Sequence, residues 1–168
     1  AGTFSHNTVL YNAHYTAYQP SGCCNVMNDN FVIGSNYKGR GHDAAIFHLQ
    51  VGAQFNARIE RNWILDCHGV RYVRMDTSVN TVYRTLGGRT RIRRNVMFGA
   101  ATFTIKGDNH TIEHNTGDRM QVVYGWANCP SMNRYTTTQY NAFPVITTRG
   151  SPRAVSYTHL RAHETSAY

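Results

Sequence analysis

The chain is short of acid. Nine Asp and Glu stand against 17 Lys and Arg in 168 residues, a formal charge of +8. Lysine is scarcer still: only Lys38 and Lys106 occur, so the basic excess is almost entirely arginine. Few carboxylates leave few ways to build a hydrolytic acid pair. A basic surface suits an anionic partner, either an acidic polysaccharide or a nucleic acid. No stretch is rich in Ala, Leu, Glu and Lys together, which argues against a helical bundle. No apolar run approaches the ~18 residues of a membrane-spanning helix. No signal-peptide pattern stands at Ala1. Cys23, Cys24, Cys67 and Cys129 form no CxxC pair, which argues against a zinc ribbon. Adjacent Cys23 and Cys24 cannot bond without strain, and the four are read as buried free thiols. The length allows one domain with a real core.

What is present is a recurring phrase: an apolar residue, two variable residues, Asn, then usually more apolar residues. It occurs at Phe4–Asn7, Met27–Asn30, Ile59–Asn62, Ile92–Asn95 and Ile112–Asn115, with a weaker sixth copy at Thr138–Asn141. The Asn-to-Asn spacings are 23, 32, 33, 20 and 26. One such unit is too short to bury its own apolar face, whereas stacked units share a continuous core. "RIERNWIL" and "RIRRNVMF" are β-branched and aromatic with polar alternation, as strands are. The Asn has two physical uses. It tolerates a left-handed backbone at a sharp corner, and stacked Asn amides form a hydrogen-bonded ladder.

A second strand is expected between phrases, at 44–51, 69–76 and 101–108. In "ATFTIKGD" Phe103 and Ile105 point inward, and Thr102, Thr104, Lys106 and Asp108 outward. In "AAIFHLQV" Phe47, Leu49 and Val51 suit the core, which turns His48 and Gln50 outward. The two faces of 69–76 are ambiguous. The Gly-rich segments 34–43 and 77–90 read as loops inserted into two rungs, the places where repeat folds often bind. "RTRIRRN" is densely basic, but it fits the repeat phrase as a strand with a basic outer face, which disfavours nucleic acid as the partner.

The Asn phrases and intervening strands over residues 3–145 resemble right-handed parallel β-helix repeats of pectate-lyase-like proteins. The clearest part is 57–116, similar to consecutive rungs of secreted bacterial β-helix proteins. The resemblance implies an all-β solenoid of about five to six rungs and an exported location. The scaffold hosts lyases, hydrolases and non-enzymatic adhesins alike. "TIKGDNHTIEHNT" further resembles a segment of the alginate lyase and chondroitinase B family, in which a strand-end Lys is the Brønsted base. By position that Lys is Lys106, while Tyr124 stands where that family places an Arg acid.

The expectation is therefore a carbohydrate-active protein, a polysaccharide lyase acting on a uronate-containing glycan. Lys106 would be the base, and Arg74 with Arg71 would steady the substrate carboxylate. His48, Tyr72 and Tyr124 join Arg71 as substrate contacts. The alternative is a non-catalytic adhesin whose outward rings (Tyr11, Tyr15, Tyr18, Tyr72, Tyr83 and Trp126) stack on sugars. Asp76 and Asp108, expected to end equivalent strands, are the best hydrolase pair and the best calcium ligands; no other cofactor is expected. Val155–Thr165, "VSYTHLRAHET", is what one reading frame of a transposase-type sequencing adapter encodes. Residues 155–168 are accordingly expected to be adapter-derived, and 1–154 to be an internal β-helix fragment.

Overall fold

The structure, a computed structural model, describes residues 1–11, 16–35, 44–67, 70–76, 87–99, 102–124, 135–144, 146–149 and 156–158. Each rung of the chain lays down short strands in turn. The first has β1 (Thr3–Ser5), β2 (Thr8–Leu10) and β3 (Thr16–Tyr18). The second has β4 (Val26–Asn28), β5 (Phe31–Ile33) and β6 (Ala45–Leu49), followed by a single helical turn, α1 (Val51–Gln54). The third has β7 (Arg58–Glu60), β8 (Trp63–Leu65) and β9 (Arg71–Met75). The fourth has β10 (Arg91–Arg93), β11 (Val96–Phe98) and β12 (Thr102–Ile105). The fifth has β13 (Thr111–Glu113), β14 (Thr116–Gly117) and β15 (Met120–Tyr124). Then come β16 (Thr137–Gln139), β17 (Ile146–Arg149) and β18 (Ser156–Thr158). Equivalent strands pair in parallel, giving sheet A (β1-β4-β7-β10-β13-β16-β18), sheet B (β2-β5-β8-β11-β14) and sheet C (β3-β6-β9-β12-β15-β17). This is a parallel β-helix solenoid. β18, inside the segment expected to be foreign, pairs with β16 and so extends sheet A; an open sheet edge accepts any extended segment.

Strand length explains the recurring phrase. A three-residue strand points its middle side chain one way and its two ends the other. In sheet A the middle residues Met27, Ile59, Ile92 and Ile112 are fully buried. In sheet B the middle column is Val9, Val32, Ile64, Met97 and Gly117, and the last four are buried. The end residues of sheet B form two outward columns. One holds Phe31, Trp63 and Val96 between Thr8 and Thr116; the other holds Leu10, Ile33, Leu65 and Phe98.

The corner between sheets A and B always has the same length, and it is built on the six phrase asparagines. From Asn7 through Asn30, Asn62, Asn95 and Asn115, each donates its backbone N–H and its Nδ2 to Oδ1 of the Asn one rung on, at 2.9–3.1 Å. The second Nδ2 proton of Asn30, Asn62, Asn95, Asn115 and Asn141 goes to a backbone carbonyl of the sheet A strand one rung back. The ladder is therefore satisfied internally while nearly all of it is buried. The left-handed backbone belongs to a different residue. It is the residue before each Asn that has φ of 54–57°: His6, Asp29, Arg61, Arg94, His114 and Tyr140. Asn is needed for its amide rather than for its tolerance of positive φ.

Inside sheet C, Tyr18, Phe47, Tyr72 and Phe103 stack rung on rung with centroids 5.2–5.6 Å apart. Phe47, Leu49, Phe103 and Ile105 face the core as expected. The strand at 44–51 stops at Leu49, and Val51 instead opens α1. Tyr18 and Tyr72 are buried, so neither is an outward ring for a sugar. Tyr72 turns inward because the register slips at this point: Arg71 pairs with Thr102, but Val73, not Tyr72, pairs with Phe103. Tyr11 is exposed, while Tyr15, Tyr83 and Trp126 lie outside the described residues. So do 36–43 and 77–86, most of the two expected loops. Of the three described cysteines only Cys67 is a buried thiol, and burial pushes its pKa up to about 11. Cys23 is exposed and Cys24 half-buried, contrary to expectation; Cys129 is outside the described residues.

Candidate functional site

The parallel register of sheet C brings distant residues to one point on its outer face. His48 on β6 pairs with Arg74 on β9, and Arg74 pairs with Thr104 on β12. Continuing that register by two residues sets Asp76 beside Lys106. The side chains meet there. Asp76 Oδ1 accepts from Lys106 Nζ at 2.7 Å. Asp76 Oδ2 accepts from Arg74 Nε at 2.6 Å and lies 2.8 Å from His48 Nε2. Three donors that are cationic or can become so thus converge on one carboxylate. Burial alone would raise the Asp76 pKa. The bonds from His48, Lys106 and Arg74 outweigh it and hold the carboxyl well below the usual carboxylate range.

The group is sheltered but not sealed. Asp76 is the most open member, with 22% of its side chain exposed, against 16% for Arg74, 9% for His48 and 8% for Lys106. His48 points outward as expected, yet the ion pair covers it. The end of β9 is pinned from below by Gln54, whose Nε2 donates to the carbonyls of Asp76 and Leu49. Gln54 is fully buried, a polar residue in a mostly apolar stretch whose role the sequence does not signal. Just past Lys106 the chain turns on Gly107 at φ 104°, where a Cβ would strike the Gly87 carbonyl oxygen.

The other expected site residues separate. Arg71 lies at the far end of β9, half-buried, opposite Ala45 and Thr102. Tyr72 is in the core and touches Phe47 and Phe103, so its assignment as a substrate contact is corrected. Tyr124 ends β15 and pairs with Ile105, one residue before Lys106; its side chain lies outside the described residues. Asp76 and Asp108 are not equivalent strand ends. Lys106 occupies the position beside Asp76, and Asp108 comes two residues later, where its backbone bridges Gly88. Among the described residues one carboxylate belongs to the cluster, where the two-acid hydrolase arrangement needs a pair. Nor does the cluster suit calcium, because its carboxylate oxygens already face Lys106, Arg74 and His48. Among the described residues no three His, Cys, Asp or Glu gather as a metal site, and no helix is long and apolar enough to cross a membrane.

His110 closes the neighbouring corner. Its Nδ1 accepts from the Thr90 N–H at 3.2 Å, and its Nε2 lies 3.1 Å from the Lys106 carbonyl oxygen. Complete burial pushes its pKa down to about 4, with the Lys106 carbonyl and the Asp108 charge pulling the other way. It is a structural imidazole linking the Lys106 turn to sheet A. The chain matches no protein-family model, no curated protein and no solved structure.

Proposed function

We propose that the chain is part of an exported, carbohydrate-active β-helix of the pectate-lyase-like kind. In this reading it is a polysaccharide lyase acting on an anionic, uronate-containing glycan laid across the outer face of sheet C. One observation carries the reading: Arg74, Lys106 and His48 converge on Asp76 at an outward strand end, where cationic donors outnumber the acid. A uronate carboxylate is the same chemical group as the Asp76 side chain and competes for the same donors. Arg74 takes it through its planar fork, with Arg71 farther along β9 as a second contact. Lys106, as the neutral amine, removes the proton next to that carboxylate. The electron pair passes into an enolate-like intermediate held by the Arg74 charge. It then forms the new double bond as the glycosidic oxygen departs and takes a proton from water, while Lys106 gives up to solvent the proton it removed.

The test is incubation with a panel of polyuronates, followed by the ultraviolet absorbance of the unsaturated product. Activity should fall about 100-fold or more in Lys106→Ala and fall in Arg74→Ala as well. A second reading, binding without cleavage, is favoured by the 2.7 Å Lys106–Asp76 contact, which turns an N–H rather than a lone pair toward the acid. Glycan binding lost in Arg74→Ala, with no unsaturated product from the wild type, would select it. No binding and no product from any polyuronate would sink both.

A further inference from the structure

The outer face of sheet A carries two columns of side chains, and they handle charge differently. One runs Asn28, Glu60, Arg93, Glu113 and Gln139, so its signs alternate, and Glu60 is bonded to Arg93. The other runs Val26, Arg58, Arg91, Thr111 and Thr137, and it holds no acid. Arg58 and Arg91 pair in register on its adjacent strands, about 4.8 Å apart. Arg89 joins them at the corner leading into the sheet. It has φ 60° there, and Asn56 and Asn109, with φ 53° and 59°, hold the equivalent places one rung on either side. Asn tolerates that backbone better than Arg does. All three arginines are exposed, and among the described residues none of them is in an ion pair. Two acids stand near: Glu60, two residues along from Arg58, and Asp108, whose backbone bridges Gly88. Both are buried, and Glu60 is taken by Arg93. Like charges side by side on neighbouring strands repel, and among the described residues nothing offsets these.

We propose that Arg58, Arg89 and Arg91 form a second binding surface for an anionic glycan, continuous with the Asp76 cluster and resting on that cluster's proposed role as a uronate site. Guanidinium forks match the paired oxygens of a carboxylate. Three of them without a facing acid take successive charges of a repeating anion. The surface begins where the cluster ends. Lys106 leads through Gly107 and Asp108 to Asn109, the neighbour of Arg89 in the corner column, a path of at most about 11 Å. Farther along that column Tyr135 follows Asn109 with φ 57° and is 74% exposed. Its ring offers a flat apolar face to a sugar. A polyuronate carries a carboxylate on each sugar. A chain engaged by Arg74 and Lys106 on sheet C therefore has further carboxylates to set on the arginines around the corner. Single-stranded nucleic acid is held differently, by several rings that stack successive bases, and Tyr135 is the one aromatic residue among the described residues of this column.

Fluorescence-anisotropy titration of labelled alginate and polygalacturonate fragments with the full chain tests this. The main variant combines Arg58→Thr, Arg89→Asn and Arg91→Thr, each a residue that the same column already carries; circular dichroism checks that it folds. The wild type should bind at least one of the two polymers. The triple variant should bind it about tenfold or more weakly, by a margin that narrows at high salt. Arg89→Asn alone should weaken it about threefold, which keeps the test open if the triple variant does not fold. Unchanged affinity in these variants, with loss in Arg74→Ala, overturns the second surface and leaves the proposed role of the Asp76 cluster standing. Loss in these variants with no effect of Arg74→Ala keeps the arginine surface as the glycan site and overturns the role of the cluster. No binding of either polymer overturns both. A single-stranded oligonucleotide bound more tightly than either polymer, and weakened alike by the substitutions, overturns the glycan as the occupant.

Discussion

Sheets A and B are built from strands of the same length, meet at one shared corner and cover the same core. Their outer faces nevertheless have opposite characters. Sheet A shows Arg58, Glu60, Arg91, Arg93 and Glu113, cross-linked by Glu60 to Arg93 at 2.9 Å, with Arg61 forked onto Asp29 at the corner. Sheet B shows Phe31, Trp63, Val96, Leu65 and Phe98. The difference separates two kinds of constraint. The inward column of each sheet answers to the stack, which accepts an apolar side chain and little else. The outward columns are free of that constraint, and they differ: charged and polar on sheet A, apolar on most of sheet B.

The sharpest way to break that comparison is to remove what both sheets share. Asn95→Ala strips two acceptor contacts from Asn62 and a donor from the Ile59 carbonyl. At about 1–3 kcal/mol for each buried group left unpaired, the loss should be on the order of 4 kcal/mol. That should appear as a fall in Tm of about 10 °C or more. A loss under about 1 kcal/mol would show that the ladder is incidental.

Next comes a pair of substitutions within one strand. Ile64→Ala should cost about 2–5 kcal/mol in denaturant unfolding. Trp63→Ala, made next to it on the outward side, should cost well under half as much. Equal costs would mean that the face of sheet B is covered within a single chain.

Acid should separate the two edges of sheet A. The edge at sheet B is closed by asparagines, which do not titrate, and the edge at sheet C by His110. Unfolded, His110 takes a proton near 6.5; folded, it resists until about 4. Between those values the unfolded chain binds more protons, so stability falls with falling pH, by up to about 3 kcal/mol. Asp76 is shifted in the same direction but from a lower starting value: its contribution is complete above the unfolded carboxylate value and lost only as pH drops below that, toward its depressed folded value. The two windows are distinct. His110→Gln should flatten the upper one in denaturant melts taken from pH 7 to 4, and an unchanged slope would exclude His110 as its source. The smallest effect is expected at the exposed corner, where Asp29→Asn, which loosens the Arg61 fork, should cost about 1 kcal/mol or less in the same melts.

The sequence pattern reached the solenoid because an inward column and an amide ladder are both written in side chains at fixed offsets. It reached four members of the Asp76 cluster because strand-end polar residues on consecutive rungs must share a face. It missed where the residues pair, because rung length varies in the connections around sheet C, and counting along the chain cannot align Asp76 with Lys106 rather than Asp108. Tyr72 was misplaced by one slipped residue, which inverts the alternation on which any inward–outward reading depends. The face of sheet B was legible and overlooked. "FVI", "WIL" and "VMF" are apolar at all three positions, and a three-residue strand can turn only its middle one inward.

Asparagine is the side chain most prone to chemical ageing, through attack on its amide by the backbone nitrogen of the following residue. A column of six looks like a poor choice for a spine. Yet the nitrogens following the five later asparagines, those of Phe31, Trp63, Val96, Thr116 and Ala142, each donate to the backbone carbonyl of the Asn one rung back, at 2.8–2.9 Å. The nucleophile is occupied and the amide is held away from it, so the bonds that set the height of each rung also protect the spine from deamidation for as long as the chain stays folded.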